Sequence, residues 1–300
     1  MDADKEIPTN RTYRLIGTLF NFLLKCIFRL LSFGPIPQHI AFILDGNRRY
    51  ARKWSLEEGA GHRFGFLSLM SMLKYCYELG IKYITIYAFS IDNLKRKPHE
   101  VQYVMDLMQE KIEGLLQEQK VLNRHGIRVY FVGDLKYLTE PVRSAAFRVM
   151  EATAGNSRFM IAVCVGYTST YEIAHAVKVS CEEKRDSLKG INGSTEGSKG
   201  EEKMALKPGE EALSLADVES RMYMGMMPDV NILVRTSGET RLSNFLLYQT
   251  SNCLLYSPSA LWPEIGLRHL VWATLNFQRH SVYLGKIKRA LQSSQTKKEQ

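Results

Sequence analysis

The sequence has 300 residues, of which 45% are hydrophobic and 24% charged, and these fractions exclude a disordered, collagen-like or coiled-coil rod protein. Its 40 Lys and Arg against 31 Asp and Glu give a formal net charge of +9. Residues 1–33 carry +2 and residues 278–300 carry +5, so the 244 residues between them carry only +2. Because a nucleic-acid groove needs clustered cations in the folded body, we expect no nucleic-acid partner.

The first predicted element is an amphipathic helix over residues 13–33. Its polar residues are 4, 3, 4, 4 and 3 positions apart, which is the period of a helix, and they leave a broad apolar face. Lys25 and Arg29 lie near the middle, and each costs roughly 2.5–3.5 kcal/mol on insertion into a bilayer. We therefore favour a helix that lies on a membrane surface and predict a membrane-associating segment over residues 1–34. Docking on protein and spanning a membrane are the alternatives.

Residues 35–285 alternate between short apolar runs and longer helical patterns. Six runs predict strands, at 40–44, 83–89, 127–132, 159–165, 230–234 and 253–256. Eight patterns predict helices, at about 49–54, 62–79, 99–119, 140–152, 169–181, 213–223, 242–250 and 266–280. This alternation predicts a single α/β domain with a mostly parallel six-stranded sheet covered by helices.

Two polar segments interrupt or follow this domain. Residues 182–211 are rich in Gly, Ser, Lys and Glu and nearly free of large apolar side chains, so we predict a disordered surface insert. Residues 286–300 form a polar C-terminal tail, which we expect to be a frayed helix.

Three predicted strands are followed by segments suited to anions. The runs at 40–44, 83–89 and 230–234 lead into DGNRRY, SIDNLKR and RTSGETRLSN. Ligands of parallel sheets bind beyond the carboxyl ends of the strands, and each segment there combines Arg with small hydroxyl or amide side chains. Asp45, the lone acid of the first segment, suits a Mg²⁺ ion held between one carboxylate and phosphate oxygens.

Each residue also has an ordinary structural interpretation. Asp45 could cap the helix that follows it, the arginines could form solvated ion pairs, and His62 could occupy a turn. Three anion-ready segments at one edge of a sheet are harder to explain in this way than any one of them.

The three segments belong to longer blocks that identify a family. HIAFILDGNRRYARK, ITIYAFSIDNLKRKPHEV and ILVRTSGETRLSNFLLYQT, followed by LWPEIGLRHL, resemble the signature blocks of cis-prenyltransferases. The resemblance covers about residues 37–285, the insert excepted, and is strongest to plant dehydrodolichyl diphosphate synthases and rubber-type enzymes. It implies one α/β domain with an elongated hydrophobic tunnel. Apolar residues of the helices predicted at 62–79 and 99–119 could form its wall, although helical spacing alone indicates only a core.

The resemblance also implies a reaction and a cofactor. An allylic diphosphate, usually farnesyl diphosphate, is elongated by successive cis addition of isopentenyl diphosphate to a long-chain polyprenyl diphosphate, a precursor of dolichol or rubber. Asp45 matches the family's Mg²⁺-linked aspartate, which helps the allylic diphosphate to leave. Asn93 matches a position proposed to assist proton removal. Asp45 and Asn93 are therefore the predicted catalytic residues.

The remaining site residues are predicted to bind substrate. The family's diphosphate-binding positions are matched by Gly46, Asn47, Arg48, Arg49, Tyr50 and His62. Ser90 matches a residue near the reacting carbons, and Arg96 and Glu100 match a supporting pair. The isopentenyl diphosphate site is matched by Arg235, Arg241 and Ser243.

The sequence departs from bacterial members of the family at three places. Glu58 replaces an Arg that contacts phosphate, and Leu254 replaces a metal-binding Glu. The R-x-G with which homodimeric members reach into the partner's active site is here Tyr283-Leu284-Gly285. Family members with the same losses work with a second subunit that resembles the Nogo-B receptor and supplies R-x-G. We therefore predict a heteromeric enzyme on the cytosolic face of the endoplasmic reticulum membrane.

The main alternative is a non-catalytic scaffold subunit of a prenyltransferase complex. Such a subunit lacks the DGNRR block and keeps R-x-G. This sequence shows the reverse pattern, which favours the catalytic subunit.

Overall fold

The computed structural model describes residues 10–57, 59–193 and 213–299. In that part of the chain six strands form one sheet: β1 (His39–Ile43), β2 (Tyr83–Ser90), β3 (Ile127–Val132), β4 (Phe159–Tyr167), β5 (Ile232–Arg235) and β6 (Leu254–Tyr256). Nine helices lie in the same residues: α1 (Asn10–Leu31), α2 (Asn47–Lys53), α3 (Ala60–Leu79), α4 (Pro98–Gln117), α5 (Gln119–His125), α6 (Glu140–Ala152), α7 (Ser169–Gly193), α8 (Leu215–Arg221) and α9 (Leu267–Glu299).

Every strand pair in the sheet is parallel, and the order is β3-β4-β2-β1-β5-β6. All carboxyl ends therefore meet at one edge, with Ile43 of β1 in register with Tyr87 of β2 and Arg235 of β5. The central strand β1 is buried along its whole length because helices cover both faces. The predicted α/β class and parallel six-stranded sheet are confirmed.

The helix predicted at 242–250 is wrong. These residues form turns, and Ser243, Asn244 and Leu246 have φ values of 49°, 56° and 46°, in the left-handed region. The apolar residues that suggested a helix are instead anchors, because Phe245 and Leu246 are fully buried beneath the carboxyl edge of the sheet. A helix cannot contain residues in the left-handed region.

The helix α7 is longer than the sequence predicts, and the C-terminal tail is helical as expected. α7 begins at Ser169 as expected but continues to Gly193, so residues 182–193 of the predicted insert are helical rather than disordered. Residues 194–211 of that insert lie outside the described residues. α9 extends through the predicted polar tail to Glu299. Polar helix-forming residues such as Glu and Lys propagate a helix once packing of its first turns has nucleated it.

The amphipathic helix α1 packs on the domain through one stripe. Leu24, Phe28 and Leu31 are buried in the core that α3 and α9 share, so this side of the helix is docked on protein. A second apolar stripe of α1 faces outward and consists of Leu19, Phe22, Leu23 and Leu30; Phe33, two residues beyond the helix, is also exposed. None of the helices in the described residues is sufficiently long and apolar to cross a bilayer.

His39 makes the stability of the fold depend on pH. Its Nδ1 lies 2.7 Å from the carbonyl of Pro228 and its Nε2 2.8 Å from Oγ1 of Thr85, and burial lowers its pKa to about 4. In the unfolded chain a histidine titrates near 6.5, so below that pH the unfolded state binds the proton first.

We expect His39 to contribute about 1–2 kcal/mol to the decrease in the free energy of unfolding in urea between pH 7 and pH 5, from this pKa difference. The variant His39→Gln should lose this contribution, whatever its stability at pH 7, and keep that of His62, whose pKa is also lowered to about 4. An equal decrease in the variant and the parent would contradict the assignment to His39.

Candidate active site

Asp45 lies one residue beyond Leu44 at the carboxyl edge of the sheet, where the chain turns into α2. Gly46 makes this turn with a φ of 115°, and a Cβ there would lie 2.6 Å from Oγ of Ser237. Only glycine fits this position without strain. The turn sets Asp45 beside the loop that follows β5.

The backbone of Asp45 is held by three donors. Its carbonyl oxygen accepts hydrogen bonds from Oγ1 of Thr236 at 2.6 Å, from Oγ of Ser237 at 2.9 Å and from the backbone N–H of Trp262 at 2.9 Å. Trp262 is fully buried, and its indole N–H donates to the carbonyl of Gly65 in α3. The backbone that carries the carboxylate is therefore held rigidly.

Two arginines hold the carboxylate of Asp45. Nη2 of Arg49 donates to Oδ1 at 3.0 Å, and Nη2 of Arg235 donates to Oδ2 at 2.8 Å. Burial raises the pKa of Asp45, but the hydrogen bonds and charges of Arg235 and Arg49 outweigh it and bring the pKa below its ordinary value. Asp45 is therefore a carboxylate at neutral pH.

Arg235 joins the first and third strand ends. Its side chain is only 7% exposed. Besides Asp45, it donates from Nη1 to the carbonyl of Arg241 and to Oγ of Ser243, both at 2.6 Å. Arg235, Arg241 and Ser243, predicted from one sequence block, are thus assembled next to the predicted metal ligand.

A cavity of about 350 Å³ opens between α2, α3 and the loop after β5. It is lined by Leu44, Asp45, Gly46, Asn47, Arg48, Arg49, Arg52, His62, Arg96, Glu239 and Arg241. Five arginines thus face two carboxylates. An excess of fixed cations in a confined space suits an anion with several charges, such as a diphosphate.

The side chain of His62 lines this cavity and is uncharged. Burial, then the charges of Arg96 and Arg48, lower the pKa of His62 to about 4. At neutral pH the imidazole therefore has one N–H donor and one acceptor nitrogen, and it donates without adding a sixth positive charge.

A second cavity of about 1040 Å³ begins at the same residues and continues between the sheet, α3 and α4. Its apolar wall includes Phe66, Leu69, Met70 and Leu73 of α3 and Val104, Leu107, Met108, Ile112 and Leu115 of α4. Tyr77, Glu78 and His125 also line it. The wall that the two helical patterns suggested is present, and the polar cavity opens into it.

Ser90 and Asn93 lie at the end of β2, where a 3₁₀ turn (Ile91–Lys95) begins. Oγ of Ser90 accepts from the N–H of Asp92, and Oδ1 of Asn93 accepts from the N–H of Ser90, both at 3.1 Å. This reciprocal capping fixes the amide of Asn93 at the rim of the large cavity, which both residues line.

Two predicted site residues take other places. Tyr50 lines neither cavity, and its ring instead contacts the rings of Trp54 and Phe64. Glu100 also lines neither cavity, and its carboxylate pairs with Arg48 at 3.1 Å. Arg96 lies in extended backbone before α4, whereas the first turn of α4 carries Glu100 towards α2.

Arg52 and Glu239 line the small cavity but were not predicted. Glu239 pairs with Arg49 at 3.4 Å and with Arg241. Each of the two residues has a feature in the sequence that could have indicated its place. Arg52 lies four residues after Arg48, on the same face of a helix, and Glu239 lies inside the RTSGET block.

The three departures from the bacterial pattern fall in different places. Leu254 begins the edge strand β6, Tyr283 is exposed on α9, and Glu58 lies outside the described residues. Within the residues that the structure describes, no cluster of three or more His, Cys, Asp or Glu could hold a metal ion.

Comparison with known proteins identifies the family. The sequence model of the prenyltransferase family described as undecaprenyl diphosphate synthase matches residues 43–285. The chain is 56% identical over 273 residues to dehydrodolichyl diphosphate synthase CPT3 of Solanum lycopersicum, covering 90% of this chain and 94% of that protein. It is 55% identical over 284 residues to rubber cis-polyprenyltransferase HRT2 of Hevea brasiliensis, covering 93% and 96%.

A solved structure shares the fold. Lavandulyl diphosphate synthase from Lavandula x intermedia, in complex with dimethylallyl diphosphate, matches with a TM-score of 0.68 at 24% identity, over 81% of this chain and 95% of that one. The chain therefore belongs to the undecaprenyl diphosphate synthase family, and it is a cis-prenyltransferase.

Proposed function

We propose that this enzyme elongates an allylic diphosphate, farnesyl diphosphate, by successive cis condensation with isopentenyl diphosphate to a long-chain polyprenyl diphosphate. The observation that carries the proposal is the continuity of two cavities. Asp45, Asn47, Arg48, His62, Arg96 and Arg241 line both the arginine-rich cavity of about 350 Å³ and the apolar cavity of about 1040 Å³. One end suits a diphosphate and the other a hydrocarbon chain.

The two diphosphates are proposed to use different sets of side chains. Arg48, Arg49 and His62 are available to the allylic diphosphate, on the α2 and α3 side of Asp45. Arg235, Arg241 and Ser243 are available to isopentenyl diphosphate, on the β5 side. Asp45 lies between the two groups and is hydrogen-bonded to one arginine of each.

The chemistry requires charge stabilisation and exclusion of water. The allylic C–O bond breaks, a C–C bond forms, and a proton leaves the isopentenyl unit. Arginines already in place stabilise the negative charge that grows on the departing diphosphate. The apolar wall keeps water from the electron-poor allylic carbon. The fixed amide of Asn93 is suited to orient the group that takes the proton.

Asp45 fits a Mg²⁺ ion. It is an ionised, half-buried carboxylate that faces the arginine-rich cavity, and Mg²⁺ binds few protein oxygens and completes its shell with phosphate oxygens and water. When bound, the ion would neutralise diphosphate charge and so favour departure of the leaving group.

The active site is proposed to be completed by an accessory subunit that resembles the Nogo-B receptor and supplies R-x-G. This chain has Leu254 in place of a metal-binding Glu, and the last positions of its family match, Tyr283-Leu284-Gly285, lack the Arg. A second subunit that brings an Arg would restore the missing contact.

Labelled isopentenyl diphosphate tests both reaction and partner. With farnesyl diphosphate and Mg²⁺, the chain alone should incorporate little label, and the chain with a co-expressed subunit of this type should form long polyprenyl products. A subunit without its R-x-G Arg is the matched control. No incorporation in any arm would contradict the reaction, and full activity of the lone chain would contradict the partner.

The outward apolar stripe of α1 is proposed to rest on the cytosolic face of the endoplasmic reticulum membrane. Leu19, Phe22, Leu23, Leu30 and Phe33 remain exposed after the other side of α1 has docked. Each added isoprene unit contributes roughly 4 kcal/mol of apolar transfer, from about 0.8 kcal/mol per buried carbon, so a long product cannot leave into water. An enzyme on the bilayer surface can release it there.

Vesicle flotation tests this surface. Replacing Leu23 and Leu30 together by Ser should reduce binding to phosphatidylcholine–phosphatidylserine vesicles about tenfold or more, because each exposed leucine contributes about 1.5–3 kcal/mol when fully buried. Leu215→Ser, at an exposed leucine of α8, is the control. Unchanged flotation of the double variant would contradict the proposal, and turnover of short substrates should be retained.

A further inference from the structure

The loop that carries Ser243 is fastened to the first turn of α7. The carbonyl of Asn244 accepts the N–H of Ser169 at 2.7 Å, and Oδ1 of Asn244 accepts the N–H of Thr170 at 3.0 Å. Nδ2 of Asn244 donates to Oγ1 of Thr170 at 2.8 Å, and the N–H of Leu247 donates to Oγ of Ser169 at 3.0 Å. Four hydrogen bonds thus join segments more than 70 residues apart.

These contacts replace a local helix cap. The first N–H groups of a helix have no partner within the helix, and the residue before the helix usually provides one. In α7, Asn244 satisfies two of them from another loop. The αL backbone of Asn244 makes this possible, and asparagine tolerates that region better than most residues.

These hydrogen bonds lie next to the contacts that Arg235 makes with the loop after β5. Ser243, the neighbour of Asn244, accepts the hydrogen bond from Arg235 at 2.6 Å, and Asn244 itself lines the large cavity. Phe245, on the other side, stacks on Tyr87 of β2 with ring centroids 4.4 Å apart. The loop is therefore fixed on both sides of Asn244.

We propose that Asn244 is a positioning residue for isopentenyl diphosphate: by capping α7, it holds Ser243 and the carbonyl of Arg241 against Arg235. This inference rests on the proposed assignment of Arg235, Arg241 and Ser243 to that substrate. An amide is suited to the task because it supplies the acceptor that a cap needs without placing a negative charge beside a diphosphate. Aspartate would cap equally well and repel the substrate.

The test is steady-state kinetics of the complete enzyme, with the accessory subunit present where activity requires it. Asn244→Gly keeps the αL backbone and removes the two side-chain hydrogen bonds to Thr170. It should therefore raise KM for isopentenyl diphosphate about tenfold. KM for farnesyl diphosphate should stay within about twofold. Thr170→Val should raise the same KM less, and the double variant should not add to Asn244→Gly.

Ser214→Ala is the matched control, because it removes a similar cap from α8, where Oγ of Ser214 accepts the N–H of Asp217. It should change neither KM. An unchanged KM for isopentenyl diphosphate in Asn244→Gly, or an equal rise of both KM values, would overturn the positioning role. Ser243→Ala tests the substrate assignment separately from the role of Asn244. Normal kinetics in this variant would overturn the assignment of Ser243 to isopentenyl diphosphate.

Discussion

Asp45→Asn should lower kcat for elongation of farnesyl diphosphate by about 10²–10³-fold, the effect of removing one transition-state contact in a preorganised polar site. The amide has the same shape but no charge, and it cannot accept from Arg49 and Arg235 as strongly as a carboxylate does. It is also a weaker ligand for Mg²⁺. Label incorporation at saturating substrate measures the loss.

Asp134→Asn provides a matched control for this variant. Asp134 also follows a strand at the carboxyl edge of the sheet and pairs with Lys136 at 2.5 Å, but it lines neither cavity. It should keep turnover close to that of the parent. Equal turnover in Asp45→Asn and the parent, at saturating Mg²⁺, would show that the carboxylate has no part in the reaction.

Arg235→Lys should lower kcat/KM for isopentenyl diphosphate by about 10²–10³-fold, because each lost charged hydrogen bond costs about 1.5–3 kcal/mol. The guanidinium donates in two directions at once, to Asp45 and to the Arg241 carbonyl and Ser243. The compact ammonium of lysine cannot reproduce this planar set of donors. Circular dichroism should confirm that the variant folds.

The pH profile gives a second readout for Arg235. Since Arg235 helps to lower the pKa of Asp45, a variant that loses its hydrogen bond should move the acid limb of kcat/KM to higher pH. Arg221→Lys, at an exposed pair between Arg221 of α8 and Glu183 of α7, should change neither the rate nor the profile. An acid limb that does not move in Arg235→Lys would mean that Asp45 keeps its charge by other means.

Sequence patterns were sufficient for the sheet because its strands are buried on both faces. β1 and the central runs of β2, β4 and β5 are close to continuously apolar, and such runs mark parallel strands at the centre of an α/β sheet. The residues directly after three of these strands could then be placed at one edge. For Asp45, Arg235 and Ser243 this placement agrees with the structure.

Residues whose partners lie far away in sequence could not be predicted in this way. The sequence pattern at 242–250 fits a helix equally well. The segment forms turns because Phe245 and Leu246 are buried under the sheet and Asn244 is hydrogen-bonded to α7. Glu100 likewise lies four residues after Arg96 in the sequence, yet its carboxylate pairs with Arg48, which is 52 residues away.

The sequence by itself determined the fold class, the family and the positions of three segments that we predict to bind anions, because hydrophobic period and local blocks are properties of neighbouring residues. Tertiary structure decided the rest. It buried one stripe of α1 and left another exposed, it joined Asp45 to Arg235 across 190 residues, and it capped α7 with Asn244. Each of these contacts joins elements that are far apart in the sequence, so it forms only when those elements pack together.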